Sequence, residues 1–292
     1  MLPGVAVPMP QLAGVEHHYE LVGDVRLHYA QAGPPDGEPV LLQHGWPQHW
    51  WMWRDLIGPL GDRGYRVIVP DLRGHGWSSK PAGDYRKDAL MRDVLGLLDR
   101  LGIERVRYVG HDWGAYAGML AALRHPERIE RFVCMSIPHP WQKERSLLEV
   151  AGSAWYQLVL SAPVLGKLAI GRLGFPRVVL TKARAKGAFT DEEIETYMAV
   201  IRQPDATEAS MRLYRQFLLH ELGPALSGAF KDERLSVPTR WIVGTEDRVS
   251  GSADEGYRDH ADDMTLEHVP GVGHFLPEET PELVRERVLD FL

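Results

Sequence analysis

The chain has 292 residues, 44% hydrophobic and 25% charged, a balance that excludes a disordered polymer and suits one large domain or a domain carrying an insertion. A net charge of -7 at pH 7, with no run of about five like charges, argues against a nucleic acid or an anionic membrane surface as partner and favours a small neutral molecule. The single Cys134, in Arg131-Phe132-Val133-Cys134-Met135, allows no internal disulfide and reads as a small buried hydrophobe. Met1 to Pro10 lacks the basic start of a secretion signal, and no stretch approaches the roughly 20 apolar residues of a membrane span. A cytoplasmic location is expected.

Two β-like runs open the chain, His17 to Val22 and Val25 to Ala30, joined by Gly23-Asp24, a two-residue hairpin signal. Val40 to Gln43 is a short apolar run of the kind that forms a buried strand, and it ends at His44-Gly45-Trp46-Pro47. A helix is expected from Trp50 to Leu60, a strand from Tyr65 to Pro70, and a helix from Asp84 to Leu101, where Leu90, Val94, Leu97, Leu98 and Leu101 fall at helical spacing. The strand Arg105 to Val109 runs into Gly110-His111-Asp112-Trp113-Gly114, and Ala115 to Leu123 follows as a helix stopped by His125-Pro126. Strands alternating with helices of this length indicate a mostly parallel sheet covered on both faces.

The alternation breaks after the run Phe132 to Ile137. From there to about Gly223-Pro224 the pattern is helical without a strand: Ser146 to Leu160, Asp191 to Ile201 behind a Thr190/Glu193 capping box, and Thr207 to His220. The expected organisation is an α/β core of residues 1–137 and 225–292 with a helical cap, or lid, of residues 138–224. The apolar content of the cap, Trp155, Leu158, Val159, Leu160, Val164, Leu165, Leu168 and Ile170, is expected to be mainly core. Strands return at Thr239 to Val243 and Met264 to Val269, and Pro281 to Leu292 closes as a helix.

The chemistry centres on Gly110-His111-Asp112-Trp113-Gly114. Strand, tight turn and helix form a nucleophile elbow, in which small residues let a side chain stand on a sharp turn. Here that side chain is an aspartate, which attacks an electrophilic carbon to give an ester; the serine usual at this place attacks a carbonyl. The alternative is an Asp that merely caps the following helix. An elbow predicts an acid and then a histidine on loops after later strands, and the chain supplies Asp247 in Gly244-Thr245-Glu246-Asp247 and His274 in Gly273-His274-Phe275. Spacing does not choose between Glu246 and Asp247.

Together, His44-Gly45-Trp46-Pro47, Gly110-His111-Asp112-Trp113-Gly114, Gly244-Thr245-Glu246-Asp247 and Gly273-His274-Phe275 resemble the epoxide hydrolases of the α/β-hydrolase fold, its aspartate-nucleophile branch. The resemblance covers nearly the whole chain. It implies Asp112 as nucleophile, His274 as the base that activates water, Asp247 as its orienting acid, and the backbone N–H groups of Trp46 and Trp113 as an oxyanion hole. It also implies two cap tyrosines that donate to the epoxide oxygen: Tyr214 matches the second, Tyr156 the first by position, and Tyr197 looks more like helix packing. The substrate would be a small apolar epoxide, with water and with neither metal nor organic cofactor. Two rival classes share the motifs, the dehalogenases and a catalytically idle member of the fold. A haloalkane dehalogenase would use the same Asp112, although Trp46 replaces the Asn or Glu expected after His44-Gly45. A haloacetate dehalogenase would need arginines just after the nucleophile, where this chain has Trp113 and Tyr116. A catalytically idle member would bind a small apolar ligand under the cap.

Overall fold

The computed structural model describes residues 7–142, 156–182, 189–250 and 255–292. Its framework is an eight-stranded sheet: β1 (Glu16–Val22), β2 (Val25–Ala32), β3 (Pro39–Gln43), β4 (Arg66–Pro70), β5 (Val106–His111), β6 (Ile129–Met135), β7 (Thr239–Gly244) and β8 (Met264–Val269), in the order β1-β2-β4-β3-β5-β6-β7-β8. β1 and β2 form the expected hairpin, Val22 pairing with Val25 across a Gly23 with φ of 56°. β2 is also antiparallel to β4, and all later pairs are parallel.

The apolar strands are buried on both faces, which is why they read as continuous hydrophobic runs. Successive side chains point to opposite sides. Val40, Leu42, Val67, Val69, Val109, Val133, Met135 and Ile242 face one core, packed against Leu56, Ile57 and Leu60 of α1 (Arg54–Asp62) and Val284 and Val288 of the C-terminal helix (Pro281–Phe291). Leu41, Ile68, Tyr108, Phe132, Cys134 and Trp241 face the other, against α2 (Lys87–Arg100) and α3 (Trp113–Arg124). Cys134 is fully buried there, as expected.

Between β6 and β7 the described residues contain helices and no strand. Residues 156–161 are helical; then come α4 (Leu165–Gly171), α5 (Phe175–Lys182), α6 (Asp191–Ile201) and α7 (Pro204–Gln216), the last running through a π-helical turn, Phe217–Glu221, into the short α8 (Leu222–Leu226). The chain ends with α9 (Leu276–Glu279) and α10 (Pro281–Phe291). The Thr190/Glu193 capping box starts α6 as expected. The apolar content of this segment divides: Leu160 and Ile170 are core, whereas Leu158, Val164, Leu165 and Leu168 are exposed, and Trp155 lies outside the described residues. The helices are tied to the sheet domain by a buried network around Glu278, which accepts from Gln48 Nε2 at 2.9 Å, from Arg54 at 2.7 Å and from the Tyr197 hydroxyl. Arg54 also reaches Glu193 at 2.7 Å. No helix among the described residues is long and apolar enough to cross a membrane.

Candidate active site

β5 ends at His111 and α3 begins at Trp113, so Asp112 must turn the chain within one residue. It does so with φ 50° and ψ -124°, a conformation that costs a non-glycine residue on the order of 1–3 kcal/mol. The turn closes only because its surroundings are small. A Cβ on Gly45 would lie 2.4 Å from Asp112 Cβ and Oδ2, and one on Gly114 would lie 2.4 Å from the Gln43 and His44 carbonyl oxygens. The Asp112 side chain makes no capping bond to α3. Its Oδ2 instead accepts the Trp46 backbone N–H at 2.9 Å.

Asp112, Asp247 and His274 stand on the turns after β5, β7 and β8, and the parallel sheet brings these carboxyl ends together. His274 Nδ1 lies 3.1 and 3.2 Å from the two Asp247 oxygens, and its Nε2 lies 3.8 Å from Asp112 Oδ1. All three are buried. Asp247 is fixed in turn by the Val249 N–H at 2.8 Å and the Ser250 hydroxyl. Glu246 points to solvent. Of the two adjacent acids, Asp247 therefore meets the histidine.

Electrostatics follow from this line of charges. Burial raises the Asp112 carboxyl above its ordinary value, against the pull of His274 and of the Trp46 and Trp113 amides. Burial also raises Asp247, but the His274 charge and hydrogen bond outweigh it and hold that carboxyl low. For His274, burial pushes the imidazole down, while Asp247 and then Asp112 pull harder and lift it to about 9.

Tyr214, on α7, is buried with its ring 5.2 Å from that of Trp46 and 5.6 Å from that of Trp113. Tyr156 meets Tyr214 ring to ring at 6.1 Å, and Arg215 holds the two helices together by donating to the Ser161 carbonyl at 2.8 and 2.9 Å. Burial raises both phenols, Tyr156 to about 12 and Tyr214 well above its ordinary value, so both remain protonated at neutral pH. Tyr197 is spent on Glu278 in the structural network. Of the other two tyrosines, it is Tyr156 whose ring meets that of Tyr214.

Sequence reasoning missed several supporting residues. His111, the variable position of the elbow motif, donates Nε2–H to the His274 carbonyl at 2.8 Å; burial, with His274 adding to it, lowers its imidazole to about 3 and keeps it neutral. Ser250 steadies Asp247, and its position three residues on was the available signal. Glu279 accepts the Gly273 and Phe275 N–H groups at 2.8 and 3.0 Å, bracing the His274 loop.

The model of the alpha/beta hydrolase fold family matches residues 38–163. The AB hydrolase superfamily protein YfhM of Bacillus subtilis (strain 168) is 30% identical over 288 residues, 96% of this chain and 98% of that protein. Epoxide hydrolase 3 of Siraitia grosvenorii is 30% identical over 324 residues, covering 95% of this chain and 98% of that one. Among solved structures, the epoxide hydrolase CorEH without ligand superimposes with a TM-score of 0.84 at 28% identity, covering 95% of this chain and 98% of that chain.

Proposed function

The chain belongs to the epoxide hydrolases of the α/β-hydrolase fold family, and on that premise we propose that it converts an apolar epoxide to a vicinal diol through an ester on Asp112. The observation that carries this reading is the line Asp112, His274, Asp247 with the Trp46 N–H on Asp112 Oδ2. Oδ2, already held by an amide, becomes the ester carbonyl, and Oδ1 attacks the epoxide carbon. The carbon–oxygen bond of the ring breaks, its electrons go to oxygen, and Tyr156 and Tyr214 donate to the alkoxide. A phenol is acidic enough for this while neutral at pH 7. The helices of residues 138–224 serve as a cap over the core of residues 1–137 and 225–292 and bring both tyrosines to the reaction.

Ester formation removes the Asp112 charge. That charge is one of those lifting His274, so its loss lowers the imidazole and readies it as a base for the second step. His274 Nε2 then takes a proton from water, the hydroxide attacks the ester carbonyl, and the Trp46 and Trp113 amides receive the oxyanion; one such donor is typically worth about 10²–10³-fold in rate. Collapse breaks the ester bond: the imidazolium returns its proton to the departing diol oxygen, and the proton left on the regenerated Asp112 carboxyl passes to the tyrosinate, which restores both groups.

A dehalogenase reading draws on one observation: the Trp46 indole N–H is buried without a hydrogen-bond partner among the described residues, a donor that suits a departing halide. One experiment separates the two. Purified protein is given styrene oxide and, separately, 1-bromobutane. Diol without bromide, both absent with Asp112→Asn, is expected; bromide without diol would make the protein a dehalogenase. In His274→Gln with styrene oxide, mass spectrometry should find protein heavier by one substrate, and unmodified protein alone would rule the ester out.

A further inference from the structure

Lys87 opens α2, a place where a lysine ordinarily extends into water, yet its side chain is fully buried. An ammonium removed from water is costly unless its surroundings answer it specifically. Here Nζ lies 3.0 Å from Glu221 Oε2, 3.9 Å from the centre of the Trp113 ring and 4.4 Å from that of Phe217. The other oxygen of Glu221 accepts the Lys87 backbone N–H at 2.7 Å. One carboxylate therefore both caps α2 and neutralises the cation. Two residues earlier, the Tyr85 N–H donates to Gln216 Oε1 at 2.6 Å, a second clamp between the same segments.

Both ends of this arrangement reach the candidate site. Trp113 follows the nucleophile and supplies an oxyanion-hole amide in the mechanism above. Tyr214, Phe217 and Glu221 fall on successive turns of α7 and its π-helical extension; the Tyr214 and Phe217 rings lie 5.6 and 5.1 Å from Trp113. π-helical turns of this kind recur at functional sites. We propose that Lys87 and Glu221 are a positioning pair: the ammonium fixes Trp113 by a cation–π contact, the carboxylate fixes the helical segment bearing Tyr214, and the pair holds the two halves of the site in register.

The proposal rests on the ester mechanism, and its chemistry separates it from mere packing. An apolar pair of similar size fills the space but neither binds the Trp113 face nor caps α2. The cation can also be titrated. The charged and titratable groups bearing on it are Glu221 from the π turn and Asp112 from the elbow; burial draws the ammonium down to about 8 against both. Tyr116, which also senses Glu221, is raised by burial well above its ordinary value and does not titrate in that range.

The test measures the single-turnover rate of ester formation from styrene oxide in His274→Gln, by quenched-flow mass spectrometry from neutral pH to about 10. This background lacks the titrating imidazole. The parent rate should fall as pH rises through about 8. Adding Lys87→Met should slow ester formation about 10- to 100-fold at neutral pH, the scale of a small misplacement of reacting groups, and should abolish that pH dependence. The double change Lys87→Met with Glu221→Leu controls for folding: it should recover thermal stability without recovering the rate. The pair's role is overturned if Lys87→Met forms ester at the parent rate, if its pH profile matches the parent's, or if the apolar double variant restores the rate. A parent that gains no mass overturns the ester mechanism, and with it this role for the pair.

Discussion

Asp112 and His274 set each other's protonation, and this coupling is open to measurement. Burial works against the charge on both, and Asp112 is among the charges that lift the imidazole to about 9. Asp112→Asn should therefore lower the His274 pKa, detectable by following the imidazole Cε1–H in NMR; an unchanged or raised value would contradict the account of how the base becomes ready. The linkage sign is that of a raised basic group: His274 contributes stability fully below the ordinary histidine value of 6.5 and loses that contribution as pH rises through about 9. Tyr156→Phe and Tyr214→Phe should each slow ester formation about 10²-fold or more, the range of a positioned proton donor, and leave the ester's hydrolysis largely unaffected; single-turnover kinetics with styrene oxide distinguishes the two steps. At this scale the sequence was informative where order along the chain is diagnostic, as for Asp112 and His274. It was silent where direction decides, since Glu246 and Asp247 differ only in which way the turn after β7 points them. Lys87 and Glu221 were illegible for a related reason: each reads as a solvated charge until the fold buries one on the other.

The elements were legible in proportion to their periodicity. The hairpin, the buried strands, α6 with its capping box, and the strand–turn–helix of the elbow all stand where hydrophobic spacing and turn residues put them. α4 and α5 were not singled out because the exposed Leu165, Leu168 and Val178 stand beside the buried Ile170 and Leu180, which blurs the inward stripe. The π turn also left no trace, since an extra residue per turn is a response to tertiary contacts. The elbow is the element with least room for change. Gly45→Ala, whose new Cβ would sit 2.4 Å from Asp112 Oδ2, should reduce kcat/KM for styrene oxide by about 10²-fold or more through displacement of the carboxylate. Near-normal activity would mean that β3 and the elbow can separate without consequence.

For the whole molecule, Asp71 joins parts of the chain that the sequence gives no reason to associate. It accepts from His28 Nδ1 at 2.7 Å and from the Trp50 and Trp77 amides at 2.9 Å, tying β2 to the segments after β3 and β4. Burial would raise this carboxyl, but His28, followed by His44 and His49, holds it well below the carboxylate range. A depressed acid contributes stability above its unfolded value of about 3.8 and loses it as pH falls through the folded one. Asp71→Asn should thus cost about 3–5 kcal/mol, the scale for breaking a buried pair, and lower the urea midpoint at neutral pH more than in strong acid. β6 and β7 are direct neighbours, Cys134 pairing with Trp241, so the intervening helices leave the sheet and re-enter it at the same seam. Such an excursion can be lengthened, shortened or exchanged between related proteins without re-threading the strands that carry Asp112, Asp247 and His274. Substrate range can accordingly vary with these helices while Asp112, Asp247 and His274 stay in place, on the condition that any replacement brings its own pair of tyrosines over Asp112 and its own carboxylate to Lys87.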